Sequence, residues 1–485
     1  MLVVRSSPNK TMSKIQAILN NLPEVKGPEN KKALSFKQKL NWTLLILVAF
    51  FLLSAIPLWG LGQNQLAQFE QLSIILGASF GSILSLGIGP IVTASIILQL
   101  LTGAGILKFD TKTPEGRNFF QGVQKVLSVF FILFEALIYV FLGGLAPDAG
   151  LAAGTFHIYQ IIIVAQLVLG GLLVMLMDEV VSKWGFGSGL SLFIAAGVAA
   201  QLMIRAFSPL SQSGSWALGA SGDPVGAVWV AIRSIFVTPN FDVAFIAIAA
   251  ILATIIIFLF SVYAQAMKVE IPLSFGRIRG QGIRWPLKFL YTSNIPVILI
   301  AALIANVQLW ARLLENWGRP VLGTFVNGRA ATGFVSWLSP PNMVQEIYFG
   351  IQTGNFNWVL LGHAAVYMSF FIIGSIIFSY FWVQTSGMDS RKQADQMMAS
   401  GLQIPGFRRD PRIMEDLLAR YITPLTIMGG ATIGFLAATA DLLGALTHGT
   451  GMLLAVLIIY NLYEEIAKDH MMDMHPALRK IMGGE

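Results

Sequence analysis

The chain has 485 residues, 55% hydrophobic and only 12% charged. Soluble domains carry about a quarter charged residues, so this composition excludes a protein whose whole surface meets water; most of it faces lipid. The absence of cysteine excludes disulfides, thiolate metal sites and cysteine nucleophiles, and the net charge of +7 needs the basic residues located before it points to any partner.

The first forty residues are polar and Lys-rich, with no apolar core of a cleavable signal peptide before Leu40. Within them Lys14–Leu22 (KIQAILNNL) repeats apolar residues at helical spacing and is expected to lie on the membrane surface. The segment before Met12 reads as an upstream extension of a second candidate start.

A bilayer core of about 30 Å takes roughly 20 apolar residues in a helix. Ten runs meet that length, near 41–60, 70–101, 122–144, 158–181, 187–206, 241–264, 288–310, 358–383, 421–441 and 446–463. The run at 70–101 is too long for one straight span and Gly/Ser-rich through GASFGSILSLGIGP, so it is expected to be a short re-entrant helix, a break and a half-length span.

The basic residues orient these spans. All but five of the 32 Lys and Arg fall in segments 1–40, 102–125, 182–186, 265–288, 384–420 and 464–485; the five are Arg205, Arg233, Arg312, Arg319 and Arg329. Ten spans with both termini cytosolic predict this alternation under the positive-inside rule, and nucleic-acid binding is not needed to explain the charge. The expected fold is an all-α polytopic membrane protein with ten transmembrane helices in two inverted five-helix halves. Segment 1–40 is cytosolic, 41–206 the first half, 207–240 an external loop, 241–463 the second half and 464–485 a cytosolic tail. Inside the second half, 265–288 and 384–420 are expected as cytosolic loops. Five spans per half would invert the second half relative to the first.

An ion-coupled secondary transporter has a similar span count, but such proteins carry several intramembrane acids or bases. Here Glu135 alone sits mid-span, while Asp178, Glu179 and Asp441 lie near span ends. An intramembrane enzyme finds no paired mid-membrane aspartates, no H-E-x-x-H and no G-x-S-x-G with a membrane histidine. The five histidines show no metal-ligand spacing, no Walker-type nucleotide motif is present, and no cofactor is implied.

Six stretches in order carry a resemblance: GIGPIVTASIILQLL (87–101), DEVVSKWGFGSGLSLFIAAGV (178–198), VEIPLSFGRIRG (269–280), TSNIPVILIAALIANVQLW (292–310), IPGFRRDP (404–411) and ALTHGTGMLL (445–454). Together they resemble the SecY family of protein translocase channels, in its archaeal and eukaryotic wording, over roughly residues 30–480. The resemblance implies a central hourglass pore with an apolar ring at its waist. Such a ring dewets when narrow and offers a passing chain no specific bonds. Matched positions are Ile88, Val92, Phe186, Leu190, Ile298 and Leu454, with Phe186 bulkier than the isoleucine usual there.

The resemblance further implies a plug over Glu70–Ser82, which includes Glu70, Gln71, Leu72, Ser73, Ile74, Ile75, Leu76, Gly77 and Ala78. Gly77, Gly81 and the serines are expected to pack weakly enough to let it move. A lateral-gate polar cluster is implied at Thr93, Glu135 and Asn306. Ribosome docking is implied at Arg277, Arg279, Arg284, Arg408 and Arg409, whose charges suit RNA phosphates. Implied partners are a SecE-like (gamma) subunit, a small beta subunit, the ribosome, a nascent polypeptide with its signal sequence, and membrane lipid. The implied location is the cell membrane of a prokaryote.

Overall fold

The structure is a computed structural model describing residues 24–28, 34–64, 79–103, 106–107, 114–141, 143–148, 150–211, 215–217, 223–275, 282–292, 295–316, 319–326, 329–354, 358–403, 410–447 and 449–474. Helices occupy the expected apolar runs because each offers an unbroken stretch whose backbone can satisfy its own hydrogen bonds in lipid. In chain order they are α1 Phe36–Ala55, α2 Gly89–Gly103, α3 Pro114–Phe141, α4 Ala153–Trp184 and α5 Gly189–Phe207. There follow α6 Ala227–Phe236, α7 Phe241–Ala266, α8 Ile295–Asn316, α9 Phe334–Trp337, α10 Met343–Thr353 and α11 Trp358–Ser386. The last three are α12 Ser390–Ala399, α13 Pro411–Leu442 and α14 Gly449–Met474. Among the described residues α1, α3, α4, α5, α7, α11, α13 and α14 are long and apolar enough to cross a membrane. The shorter α2 and the 22-residue α8 fill the second and seventh predicted positions.

Short strands punctuate the helices: β1 Gln63–Asn64 pairs with β2 Leu145–Ala146, β3 Lys268–Phe275 with β4 Gly282–Lys288, and β5 Phe325–Val326 with β6 Arg329–Ala330; β7 Leu402–Gln403 joins β3. Three features depart from the sequence expectations. The expected loop at 265–288 is a β-hairpin, the expected loop at 384–420 holds α12 and the first turns of α13, and the expected loop at 207–240 contains α6. The reason for the second is local. Asp410 caps α13 by accepting the Arg412 N–H at 2.9 Å, with Pro411 at the first helical position, so the helix starts well before its apolar stretch.

The described chain groups into two compact units, one of residues up to Phe193 with the C-terminal segment from Glu464, the other of Ile194–Tyr463. In the first, α3 packs on α2 and α4, and α4 on α1. Gly170 permits one close approach, since a Cβ there would lie 2.0 Å from the Ile83 carbonyl oxygen. In the second unit, Val297, Ile300 and Ile304 form a helical stripe on α8. They pack with Tyr367 and Phe371 of α11, Ile433 and Ala437 of α13, and Leu453 and Leu457 of α14.

Candidate channel elements and a basic platform

Residues 70–78 of the expected plug lie outside the described residues, but the turn directly after them is defined. Ser82 and Ser85 fold residues 79–87 onto themselves: the Ser82 hydroxyl donates to the Ser79 carbonyl (2.7 Å), the Ser85 hydroxyl to the Ser82 carbonyl (2.5 Å), and the Gly81 N–H to the Ser85 Oγ (2.9 Å). Outside ties fix this knot. Leu58 N–H donates to the Gly81 carbonyl (2.8 Å), Ile83 N–H to the Ile56 carbonyl (3.0 Å), and the Asn64 side chain to the Phe80 carbonyl (3.0 Å). Gly81 sits at φ 97°, a conformation other residues rarely adopt. The weak packing expected of Gly81 and the serines is therefore corrected for residues 79–82, which belong to a densely hydrogen-bonded turn. Immediately beyond that turn, Ile88 is buried at the mouth of α2, and Val92 and Thr93 are half-buried in the helix.

Phe186 lies in the turn between α4 and α5, three residues before α5 begins. Its N–H donates to the Thr43 hydroxyl (3.1 Å) and its ring packs 5.3 Å from Phe36, with the Lys39 ammonium 5.8 Å from the ring centroid. Leu190, half-buried in the first turn of α5, donates its N–H to the Asp178 carboxylate (3.0 Å), so Asp178 is spent as the cap of that helix. The same end of α4 holds an N-terminal strap, residues 24–28. Glu179 pairs with Lys125 of α3 and accepts the Val25 N–H (2.9 Å); Lys183 reaches Glu24 (2.6 Å) and the Val25 carbonyl; the Trp184 indole donates to the Lys26 carbonyl (2.9 Å). The Lys183 ammonium holds the Glu24 carboxyl below the usual carboxylate range. Sequence reading missed this clamp, although Glu179 and Lys183 at i, i+4 are a visible pair.

In the second unit, Ile298 is half-buried on α8 and Leu454 fully buried on α14. Asp441, noted in sequence only as a span-end acid, has a structural task. It accepts the Gly449 N–H at the start of α14 (2.8 Å) and the Tyr367 hydroxyl (2.8 Å). Asn306 falls within α8, its side chain outside the described set.

Thr93 and Glu135 occupy the two packed helices α2 and α3, yet no hydrogen bond joins them. Gln124 Nε2 does donate across these helices to Ser95 Oγ (2.5 Å), a pair the sequence reading did not single out. Thr93 lies two residues from it; Glu135 lies about 16 Å further along α3, at 1.5 Å per residue. Glu135 is half-buried and makes no hydrogen bond or ion pair among the described residues.

The two long basic loops form one structure. β3 alternates, with Ile271 and Leu273 inward and fully buried while Lys268, Glu270 and Pro272 face out. With Leu287 of β4 they make a core against Ala394 and Met397 of α12 and Met414, Leu418 and Ile422 of α13. β7, from the second loop, extends the sheet on the far side of β3, with Ser274 opposite Gln403 and Phe275 opposite Leu402. Arg284 is 79% exposed and pairs with Glu270 at 3.1 Å. Arg277, Arg279, Arg408 and Arg409 lie outside the described residues. Tyr291 closes the platform below, donating its hydroxyl to the Met388 carbonyl at 2.7 Å, and burial beside Asp389 pushes its phenol up to about 12.

The SecY family profile matches residues 82–463. The chain belongs to the SecY family. The protein translocase subunit SecY of Methanothermobacter thermautotrophicus is 44% identical over 475 residues, covering 97% of this chain and 98% of that one. That of Pyrococcus horikoshii is also 44% identical, covering 97% and 99%. A solved structure of a protein-conducting channel superposes with a TM-score of 0.75 at 39% identity, covering 96% of this chain and 99% of that chain. Sec61 in the canine ribosome–channel complex from the endoplasmic reticulum superposes with a TM-score of 0.73 at 38% identity, covering 96% and 99%. These SecY relatives span the described helices of both units, so the helical order above is that of an integral membrane protein of this fold.

Proposed function

We propose that the chain is the central, pore-forming subunit of a protein-conducting channel, passing secretory polypeptides across the membrane and releasing membrane-protein helices sideways into lipid. The observation that carries this is the near full-length similarity, in sequence and helix arrangement, to a protein-conducting channel. In this reading Ile88, Val92, Phe186, Leu190, Ile298 and Leu454 form the apolar waist. Narrow and dry, such a ring holds back ions and water, yet offers no hydrogen bond that would retain a passing side chain. Residues 70–78 act as the plug, and the serine-rich turn behind them is its fixed end. Thr93, Glu135 and Asn306 are polar groups along the helices that part, and contacts of polar groups between membrane helices contribute only about 1 kcal/mol each, so a hydrophobic signal can displace them.

The platform carrying Arg284 faces the cytosol with both termini, in the cell membrane of a prokaryote, and receives the ribosome through RNA phosphates. A SecE-like subunit and a small beta subunit complete the channel, and with no Walker-type nucleotide motif in the sequence the driving force comes from the ribosome or another partner. The test is vesicles holding the chain with its two small subunits and programmed ribosomes. A precursor with a signal sequence becomes protected from added protease, and the same precursor without its signal does not; equal protection of both, or of neither, contradicts the reading.

A further inference from the structure

The segment between α5 and α7 contains a helix too short to cross a bilayer: α6 has 10 residues, about 15 Å at 1.5 Å per residue, half the hydrocarbon thickness of about 30 Å. Its start is tied to the end of α5. Gly226 N–H donates to the Ser208 carbonyl (2.9 Å) and the Trp229 indole to the Phe207 carbonyl (2.8 Å). From that level α6 runs antiparallel beside α7, burying Ala227 and Ala231 against Ala247, with Val230 and Ile251 alongside. Asn240 then caps α7 by accepting the Val243 N–H.

A second set of ties marks where α5, α13 and α14 turn back beside α7. Leu446, between α13 and α14, donates its N–H to the Thr254 hydroxyl (2.9 Å) and accepts from Arg205 of α5 (3.1 Å). From Phe241 to Thr254, about 20 Å of helix, α7 rises past these ends with α6 at its side and Tyr348 of α10 stacked on Phe245 at 4.7 Å. The outward surface of this paired extension is mainly apolar. Ile232, Ile235 and Phe236 are exposed on α6, as are Phe245, Ile248 and Leu252 on α7, continuous with Ile255 and Leu259 in the body of the span. The charged groups on it are occupied: Asp242 accepts from the Tyr348 hydroxyl (2.6 Å) and Arg233 pairs with Asp223 (3.3 Å). An apolar strip of this extent is not left facing water. The 26 residues of α7 measure about 39 Å, which fits the roughly 40–45 Å of hydrocarbon plus headgroup region.

We propose that α6 is a lipid-docked half-helix, seated in the leaflet opposite the basic loops with Ile232, Ile235 and Phe236 against the upper acyl chains. It holds the free end of α7 in the interface as the ring and indole side chains of an aromatic belt do. This rests on the chain being an integral membrane protein and is independent of its transport role.

Because the sequence contains no cysteine, a single introduced thiol reports its own surroundings. The complex is prepared with Ile232→Cys, Ile235→Cys or Phe236→Cys, with Leu259→Cys as the lipid control and Lys392→Cys as the aqueous control. Each is labelled with a bimane fluorophore in phosphatidylcholine–phosphatidylglycerol vesicles. Spin label near the carbonyl end of the acyl chains is expected to quench the three α6 positions at least half as strongly as position 259, and iodide to quench them at least threefold less than position 392. Strong iodide quenching without lipid quenching overturns the proposal in favour of a solvated loop. Protection from both quenchers overturns it in favour of a polypeptide covering. Agreement among the three positions guards against one label disturbing the helix.

Discussion

Phe275 and Leu402 lie opposite each other in neighbouring antiparallel strands, so two basic segments far apart in sequence end in one sheet. Arg284 is thereby carried on a sheet that both segments build. Arg284 tests whether that sheet binds RNA. Its pair with Glu270 is between exposed groups, and such pairs contribute about 0–1 kcal/mol to the fold. Arg284→Glu is therefore expected to leave thermal unfolding nearly unchanged while lowering ribosome affinity several-fold at moderate salt, with a shallower salt dependence. Co-sedimentation across a salt series reads both quantities; unchanged affinity would leave the charge with an orienting role alone.

The strap at 24–28 depends unequally on its two acids. Glu179 is partly buried, meets Lys125 and accepts the Val25 N–H, whereas Glu24 is largely exposed. Removing one member of a buried pair costs about 3 kcal/mol, less where water still screens it. Glu179→Ala is expected to open the strap to protease near Val25 and Lys26 and to lower the melting temperature; Glu24→Ala is expected to do neither. Equal protease sensitivity of the two variants would contradict the clamp.

Tyr291 makes the platform sensitive to alkali. An ordinary tyrosine ionises near pH 10, while burial beside Asp389 pushes this one up to about 12. Its contribution is fully present below pH about 10. Between the two values the unfolded chain releases a proton that the folded chain keeps. Stability therefore falls as pH rises, by at most about 1.4 kcal/mol per pH unit. Tyr291→Phe is expected to lose the Met388 hydrogen bond, about 1 kcal/mol, and to flatten that slope. Thermal unfolding on either side of pH about 10 compares the two; identical slopes would contradict the assignment.

The spans were legible because lipid demands long apolar helices, a pattern no other context imposes. What escaped was built by other rules. The start of α13 is written in Asp410–Pro411, a capping signal that an apolar window passes over. The strand period in KVEIPL is interrupted for the eye by Pro272, yet Ile271 and Leu273 alternate inward. α6 is apolar but shorter than a span. Residues 79–82 read as loosely packed from their glycine and serines, whereas the Ser82 hydroxyl, with that of neighbouring Ser85, bonds the turn's own backbone, which composition cannot reveal. Ile88 and Leu454 look like any other buried apolar residues; only the family resemblance singled them out.

Glu135 stands in an apolar helix without a hydrogen bond or ion pair among the described residues. A polar group kept there is a functional feature by default. If it helps hold the helices that part, Glu135→Leu changes the stringency with which weak signal sequences are accepted, by the several-fold that about 1 kcal/mol represents. Precursors carrying graded signal hydrophobicity measure this in vesicles. An unchanged threshold would separate Glu135 from the gate.

The central proposal is that six apolar side chains, Val92 and Ile298 among them, line one path for polypeptide. With no cysteine in the chain, Val92→Cys supplies the sole thiol of this subunit, to be paired with one cysteine in a secretory chain stalled on the ribosome. A disulfide between them is expected when the stalled residue is at the waist, absent a few residues to either side, and reproduced by Ile298→Cys. Crosslinking that ignores the stall position, or that Val92→Cys gives and Ile298→Cys never does, would contradict the shared pore.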